Sequence, residues 1–394
     1  MDMKAVTWQA PGELSVEKVA DPAILEPTDA IIRVTSTGIC GSDLHLYSLL
    51  GMCLEPGEIL GHEPMGIVEE VGSAVTSIQP GDRVVVPFNI ACGTCWMCVR
   101  GLTSQCETTQ VRQSGKGGQI FGYTSLYGAI PGGQAELLRV PQAQFGPVKV
   151  PHDESHRYLL LCDVLPTAWQ GASYAEVGPG DNVVVVGLGP VGQLAARVAR
   201  LFGADTVIGL DRVAERLYMA ARNGIHTVDI SRHDPAELVR DLTDGRGADA
   251  VIEAVGMEAH GAPAPESEQE TLAALPKSVA RVAVESFGGD RMAALTLAFQ
   301  LVRRGGAVSI LGVYGGRANP MPLMDLFDKQ ITLRMGQTNV RHWLKEILPE
   351  IERPDDPLGL DDLVTHEFPL TEAPRAYEWF ARQQNGCVKV VLRP

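Results

Sequence analysis

The sequence predicts an α/β protein built from two units: a β-rich, barrel-like unit and a doubly wound, mainly parallel sheet. At 394 residues the chain is too long for one ordinary hydrophobic core. Short strand-like runs punctuated by glycine and proline fill about the first 150 residues, which is typical of a barrel-like unit. After about residue 160, apolar runs alternate with helical stretches, and this pattern is typical of a doubly wound sheet.

The β-rich unit is predicted from runs at 30–34, 66–71 and 82–86, separated by turn residues. The C-terminal stretch returns to short strands around 362–367 and 387–392, so we expect it to rejoin this unit. The predicted boundaries are therefore residues 1–163 and 338–394 for the β-rich unit. Residues 164–337 form the second unit.

The second unit begins with a continuous apolar run at 182–186, as expected of a parallel strand buried on both faces. Later runs at 206–210, 248–252, 306–311 and 330–335 bring the expected total to about six strands. Helical stretches are predicted over 191–202 and 214–222. The alternation of strands and helices is interrupted between residues 255 and 294. This connection is longer than a usual βα loop, and long ordered loops are often functional.

A glycine-rich loop directly follows the valine run and opens a helix. It reads Gly187, Leu188, Gly189, Pro190, Val191 and Gly192. In a dinucleotide-binding loop the first glycine permits the tight turn, the second admits the pyrophosphate and the third allows close helix packing. Asp211 lies 19 residues after Gly192, where a carboxylate binds the ribose hydroxyls of NAD and repels the phosphate of NADP. Arg212 weakens that preference, and the alternative for the whole loop is an ordinary glycine turn.

Four cysteines follow the pattern C-x2-C-x2-C-x7-C, namely Cys92, Cys95, Cys98 and Cys106. Four thiolates in one short loop can close a tetrahedron around a structural zinc ion. The alternatives are an iron–sulfur cluster, whose usual last spacing is shorter and is followed by proline, or unligated thiols. The chain has eight cysteines and no export signal, so metal ligation is favoured over disulfides.

Cys40, His62 and Asp163 form a second candidate metal site. A thiolate, an imidazole and a carboxylate that are distant in sequence can converge on one zinc ion. Three protein ligands leave the fourth position open, and an open position makes zinc catalytic. Together with a dinucleotide loop, such a zinc indicates an alcohol–aldehyde oxidoreductase.

The composition excludes several other classes. A net charge of −15 argues against nucleic acid or an anionic membrane surface as the main partner. No apolar run is long enough for a transmembrane helix. The N-terminus has no positively charged segment leading into an apolar stretch, so no secretory signal is expected and a cytoplasmic location is predicted.

The chain resembles the zinc-dependent medium-chain dehydrogenase/reductase superfamily, and within it the formaldehyde-dehydrogenase-like alcohol dehydrogenases. The resemblance covers nearly the whole chain and lies in residues 61–63, 132–136 and 163–167, the four-cysteine loop and the glycine loop. It implies a GroES-like catalytic domain and a Rossmann-fold NAD domain. It also implies Cys40 and His62 as catalytic zinc ligands, with Asp163, rather than its neighbour Cys162, as the third.

The resemblance implies further roles near this zinc. Glu63 corresponds to a glutamate that can approach the metal, and its alternative is an ion-paired carboxylate. Ser42 and His45 match a proton relay, although His45 could also be a structural histidine. Asp43 could orient His62 through the other ring nitrogen. Phe88 and Trp169 are each either a wall of the substrate pocket or part of the core.

The sequence thus predicts an NAD-dependent zinc alcohol dehydrogenase with two zinc ions per chain, acting on a small alcohol or aldehyde. The alternatives are a zinc-free quinone or enone reductase, an aldehyde dismutase that keeps NAD bound, and a non-enzymatic zinc- and dinucleotide-binding protein. We expect a homo-oligomer, with a tetramer favoured over a dimer, and neither nucleic acid nor a membrane as partner.

Overall fold

The computed structural model describes residues 2–48, 50–151, 156–256, 292–314 and 321–394. The strands in this part of the chain are β1 Asp2–Ala10, β2 Glu13–Ala20, β3 Ala30–Ile39, β4 Glu63–Val71, β5 Arg83–Val85, β6 Leu137–Val140, β7 Val148–Lys149, β8 Asn182–Val186, β9 Thr206–Asp211, β10 His226–Asp229, β11 Ala248–Glu253, β12 Val302–Ile310, β13 Thr332–Met335, β14 His366–Pro369 and β15 Val390–Arg393. The α-helices are α1 Gly41–Tyr47, α2 Val164–Tyr174, α3 Pro190–Leu201, α4 Ala214–Arg222, α5 Pro235–Leu242, α6 Ala293–Leu301, α7 Leu323–Lys329, α8 Val340–Ile351 and α9 Ala373–Ala381.

The β-rich unit contains a seven-stranded sheet in the order β14-β15-β3-β4-β5-β7, with β6 pairing with β3. Strands β1 and β2 form a separate antiparallel hairpin. The C-terminal segment rejoins this unit, because β15 pairs antiparallel with β3 and sets Val390 opposite Ile39. This pairing brings the residue before β15, Lys389, to the end of β3, where the candidate metal ligand Cys40 follows.

The second unit is a parallel six-stranded sheet in the order β10-β9-β8-β11-β12-β13. This order reverses direction between β8 and β11, and the crevice at such a reversal is where dinucleotides bind in doubly wound folds. The predicted fold class is confirmed. All five apolar runs predicted as strands lie in this sheet, and β8 is buried along Val183–Val186 as a parallel strand should be.

Helix α2 connects the two units and was not predicted. Most of its residues are buried, so it lacks the alternation of polar and apolar faces that marks a surface helix. Its first turn follows Asp163, and its body packs against α3 and α8. The helix therefore fixes Asp163 relative to the parallel sheet of the second unit.

Across the described ranges, no helix is long and apolar enough to cross a membrane. Most of the segment at 255–294, where the predicted alternation of strands and helices is interrupted, lies outside the described residues. Its C-terminal end enters α6.

Candidate metal centres and active site

Cys40, His62 and Asp163 come together because three elements end at one place. Cys40 follows β3 and caps α1, His62 immediately precedes β4, and Asp163 precedes α2. Strands β3 and β4 are antiparallel with Gly38 opposite Glu63, so the residues just beyond the paired ends are neighbours. The sheet pairing thus delivers two of the three side chains, and the start of α2 delivers the third.

The distances between the three donor atoms fit a tetrahedral zinc. Cys40 Sγ lies 3.4 Å and His62 Nε2 3.5 Å from Asp163 Oδ2. A zinc with bonds of about 2.3 Å to sulfur and about 2.1 Å to nitrogen or oxygen separates sulfur from oxygen by about 3.6 Å and nitrogen from oxygen by about 3.4 Å. The donor set of thiolate, imidazole and carboxylate is also one that zinc prefers.

The charges at this cluster favour a cation. Burial and the neighbouring Asp163 carboxylate raise the pKa of the Cys40 thiol to about 11, which opposes formation of its thiolate. A bound cation reverses that effect, because it stabilises the deprotonated ligand. The cluster is therefore suited to hold a metal ion.

Asp43 orients His62. His62 Nδ1 lies 3.1 Å from Asp43 Oδ1, both residues are buried, and neither atom has a hydrogen bond to another described residue. The other oxygen of Asp43 accepts a hydrogen bond from the backbone N–H of Cys40. A carboxylate facing Nδ1 favours the tautomer with its proton there and leaves Nε2 free to face Cys40 and Asp163.

Glu63 belongs to the same group of side chains but is held by a buried lysine. One ligand atom each from Cys40, His62, Glu63 and Asp163 lies within 4.8 Å of the others. Lys389 Nζ contacts the two carboxylate oxygens of Glu63 at 2.7 and 2.5 Å, and both side chains are 0% exposed. Burial raises the pKa of Glu63, and the charge of Lys389 opposes that rise. Glu63 is thus ion-paired in this structure, one of the two alternatives left open by the sequence.

The side chains of Cys162 and Asp163 point in different directions. The Cys162 thiol is fully buried and donates to the backbone carbonyl of Pro64 at 3.2 Å, outside the cluster. Asp163 presents Oδ2 to Cys40 and His62, while its Oδ1 accepts a hydrogen bond of 2.6 Å from Thr167. The structure therefore brings Asp163, and not Cys162, to the other two candidate ligands.

Ser42 lies at the cluster, with its hydroxyl 3.3 Å from His62 Nε2. His45 is three residues further along α1, so the two side chains project from the same side of the helix. The His45 side chain is 9% exposed.

The two aromatic residues near the cluster differ in their surroundings. The Phe88 ring packs edge-on against His62, with ring centroids 6.1 Å apart. Trp169 instead donates to Glu346 and packs against Phe202, so the core alternative holds for this tryptophan.

The four cysteines of the second site also converge, and each offers a sulfur atom within 4.8 Å of the others. Cys95 Sγ and Cys106 Sγ are 3.9 Å apart, and a tetrahedral zinc–thiolate site requires about 3.8 Å. Burial raises the pKa of Cys92, but hydrogen bonds from Thr108 and Thr94 outweigh it and lower the value to about 6. These contacts stabilise the thiolate form of Cys92, whereas burial raises the pKa of Cys98.

The glycine loop has the geometry of a dinucleotide cradle. Gly187 has a φ of +87°, which a side chain would strain, and a Cβ on Gly192 would overlap the carbonyl oxygen of Gly187. A Cβ on Gly189 would meet no atom within 4 Å, so the loop leaves open space there. Pro190 and Val191 begin α3, whose N-terminus can attract a phosphate.

Asp211 ends β9 beside this loop. One of its oxygens accepts a hydrogen bond of 2.7 Å from the backbone N–H of Leu188, and the other accepts from the N–H groups of Arg212 and Val213. Asp211 is buried and also lies 3.8 Å from the guanidinium of Arg216, whereas Arg212 is exposed. The carboxylate therefore shapes the glycine loop as well as offering its charge to a ligand.

Two residues near the candidate ligands were not found from the sequence. The sequence places Lys389 in an apolar strand-like run, 387–392, and Thr167 in the motif at 163–167, and it indicates no separate role for either residue. The partner of Lys389, Glu63, is distant in sequence, and the partner of Thr167, Asp163, is one helical turn away. No sequence pattern distinguishes either residue from its neighbours.

Comparisons with known proteins agree with this geometry. Residues 26–152 match the model of the alcohol dehydrogenase GroES-like domain, and residues 190–267 match that of the zinc-binding dehydrogenases. The chain is 42% identical to the uncharacterized zinc-type alcohol dehydrogenase-like protein AdhB of Bacillus subtilis strain 168, with 100% of both chains covered. It is 34% identical to the glutathione-independent formaldehyde dehydrogenase of Pseudomonas aeruginosa, covering 96% of this chain and 94% of that one.

Two solved structures are also similar. Alcohol dehydrogenase TADH from Thermus sp. ATN1 superposes with a TM-score of 0.82 at 37% identity, covering 99% of each chain. A chain from Sinorhizobium meliloti 1021, solved with NADP bound, gives a TM-score of 0.74 at 27% identity and covers 100% of both chains.

Proposed function

Because this chain belongs to the zinc-dependent medium-chain dehydrogenase/reductase superfamily, we propose that it is an NAD-dependent alcohol dehydrogenase that interconverts an alcohol and its aldehyde. The observation that carries the proposal is the cluster of Cys40, His62 and Asp163, whose spacing fits a three-ligand zinc site. Such a site keeps a position open for substrate. The dinucleotide cradle in the same chain supports the redox part of the proposal.

The two zinc ions would be held by different sets of residues. Cys40, His62 and Asp163 would hold the catalytic zinc, and the four cysteines from Cys92 to Cys106 would hold a structural one. When bound, zinc supplies Lewis-acid polarisation of the substrate oxygen and NAD supplies hydride chemistry. Phe88, which packs on His62, would help to exclude water from the reacting atoms.

Ser42 and His45 would move the substrate proton. The hydroxyl of Ser42 is close to His62 Nε2 and would accept the proton of the substrate alcohol. His45 lies on the same side of α1 and has a small exposed fraction, so it would pass the proton towards solvent. Glu63, held by Lys389, would contribute negative charge near the metal.

For the cofactor, we favour NAD over NADP. The carboxylate of Asp211 would bind the adenosine ribose and disfavour a phosphate at that position. Arg212 and Arg216 lie next to it and carry the opposite charge, which favours NADP, the ligand of the Sinorhizobium meliloti relative. The burial of Asp211 at the end of β9 supports the NAD preference, since the carboxylate cannot swing away from the site.

The test is metal analysis combined with turnover. Metal-replete protein should contain about two zinc ions per chain and should reduce NAD with alcohols. Short alcohols and formaldehyde are suitable first substrates, given the similarity to a glutathione-independent formaldehyde dehydrogenase. Asp163→Ala should lose one zinc and its activity while remaining folded, whereas the matched control Cys162→Ala should keep both. If Asp163→Ala keeps both zinc ions and its activity while Cys162→Ala loses them, the ligand assignment is wrong.

A homo-oligomer, with a tetramer favoured over a dimer, and a cytoplasmic location remain part of the proposal. Light scattering of the purified protein would measure its assembly. A monomeric mass over a wide concentration range would contradict the oligomer.

A further inference from the structure

We propose that Thr338 is a positioning residue that aligns Asp163 for metal binding by acting through Thr167. Thr338 lies between β13 and α8, 175 positions after Asp163 in the sequence, and is 3% exposed. Its hydroxyl is 2.8 Å from that of Thr167, which in turn donates to Asp163 Oδ1 at 2.6 Å. The inference rests on the proposed function, because it requires that the cluster bind a metal ion.

The direction of these hydrogen bonds follows from counting protons. A threonine hydroxyl has one proton, and an ionised carboxylate can only accept. The proton of Thr167 is therefore committed to Asp163. In the contact between the two threonines Thr167 must accept, so Thr338 must donate. Hydrogen bonds in such a chain polarise one another, and the donation from Thr338 strengthens the bond to Asp163.

The chain fixes which oxygen of Asp163 is free for the metal. Thr167 occupies Oδ1, and Oδ2 is the oxygen that faces Cys40 Sγ and His62 Nε2. A carboxylate without this bond could rotate and exchange its oxygens or leave the cluster. Hydrogen bonds that hold a ligand in one orientation commonly raise metal affinity.

Thr338 itself is held from both sides. Its carbonyl accepts a hydrogen bond of 2.6 Å from the buried side chain of Asn89. The backbone N–H of the next residue, Asn339, donates a hydrogen bond of 3.0 Å to the side-chain oxygen of Gln170 on α2. A buried residue fixed by two buried amides cannot easily shift, so its hydroxyl is a rigid reference point for Thr167.

Residues 338–339 also contact the four-cysteine loop, the lobe from Cys92 to Cys106. The side-chain oxygen of Asn339 accepts bonds from the backbone N–H and the hydroxyl of Ser104, which lies between Cys98 and Cys106. Hydrogen bonds from Ser104 to Asn339, the peptide link from Asn339 to Thr338, and hydrogen bonds from Thr338 through Thr167 therefore connect the four-cysteine loop to Asp163. The placement of Thr338 depends on elements from both units.

The experiment measures metal affinity rather than turnover. Protein with the cysteine lobe loaded is depleted of metal at the Cys40 cluster and titrated with Zn²⁺ or Co²⁺ against a chelator. Thr338→Val keeps the shape of the side chain but removes the hydroxyl. We expect it to weaken binding at this cluster by about 10- to 100-fold and to alter the Co²⁺ absorption spectrum. Thr338→Ser, which restores the hydroxyl, should recover the affinity and spectrum of the wild type.

The matched control is Thr103→Val. Thr103 is equally buried, but its hydroxyl has no hydrogen-bond partner among the residues described, so its loss should leave the Cys40 cluster unchanged. Wild-type affinity and spectrum in Thr338→Val would overturn the proposal. A serine variant as weak as the valine variant would also overturn it, because packing rather than the hydroxyl would then be responsible.

The two proposals fail differently. If the wild-type protein binds no metal at the Cys40 cluster, the proposed function is wrong. If the wild type binds metal and Thr338→Val binds it equally well, only the role of Thr338 is wrong. Zinc retained in the cysteine lobe of each variant reports that the protein remains folded.

Discussion

Replacement of Lys389 by methionine tests the buried ion pair beside the cluster of Cys40, His62 and Asp163. The ammonium group has three protons, and the structure gives it three acceptors. These are the two oxygens of Glu63, at 2.7 and 2.5 Å, and the backbone carbonyl of Ile39, at 3.0 Å. Neither side chain of the pair is exposed to solvent. Without the lysine, the buried carboxylate of Glu63 would therefore lose its counter-charge.

The expected cost follows from this burial. Removing one member of a buried ion pair leaves an uncompensated charge and typically costs about 3–5 kcal/mol. Methionine keeps the unbranched shape of the lysine stem, so the loss of packing should be a small part of the total. We therefore expect Lys389→Met to lower the free energy of unfolding by about 3–5 kcal/mol, measured by urea denaturation with circular dichroism.

Two further variants make the measurement decisive. In the double variant Lys389→Met/Glu63→Gln the carboxylate charge is also gone, and most of the lost stability should return. The matched control is Arg33→Met, which removes an exposed ion pair with Glu69 whose side chains are 53% and 45% exposed. It should cost about 0–1 kcal/mol. If Lys389→Met costs no more than this control, the buried pair does not stabilise the fold and the reasoning is refuted.

Two predictions concern the dinucleotide loop. Asp211→Ala should narrow or reverse the ratio of kcat/KM for NAD over NADP, measured by cofactor reduction, because it removes a ribose acceptor and a negative charge beside Arg212 and Arg216. A wild-type enzyme that prefers NADP would contradict the underlying assignment. Gly192→Ala should abolish dinucleotide binding while zinc content is kept, because the added Cβ overlaps the carbonyl oxygen of Gly187. Undiminished NADH binding, followed by fluorescence titration, would show that the loop is not the cradle.

The sheet of the second unit was predictable because its strands are buried on both faces. The valine run in β8 could hardly be read as anything other than a central parallel strand. Strand β10 was missed, since it lies at the edge of the sheet, includes His226 and Asp229, and buries only Val228. Helix α2 was missed for the opposite reason, because burial on nearly all sides removes the helical periodicity on which prediction depends.

The candidate ligands were predictable from their residue types, but the groups that hold them were not. Cysteine, histidine and aspartate in recognisable motifs point to a metal. Lys389 and Thr338 belong to residue types that are common everywhere, and their partners Glu63 and Thr167 are 326 and 171 positions away in sequence. Their roles arise only from the pairing of β15 with β3 and from the return of the chain after β13. Such contacts belong to the tertiary structure, which no local pattern encodes.

The choice between Cys162 and Asp163 shows where local structure decides chemistry. Both residues are natural zinc ligands, and as neighbours they share nearly the same position in the fold. The chain forms a short 3-10 helix over Leu159–Cys162 and starts α2 at Val164, so Asp163 alone sits in the non-helical link, with φ −151°. This turn directs Cys162 to the carbonyl of Pro64 and Asp163 to Cys40 and His62. Cys162 could enter the cluster only if this link changed its conformation. A carboxylate is a harder donor than a thiolate, so a zinc ion held through Asp163 would receive less charge than one held through Cys162 and would polarise a bound oxygen more strongly.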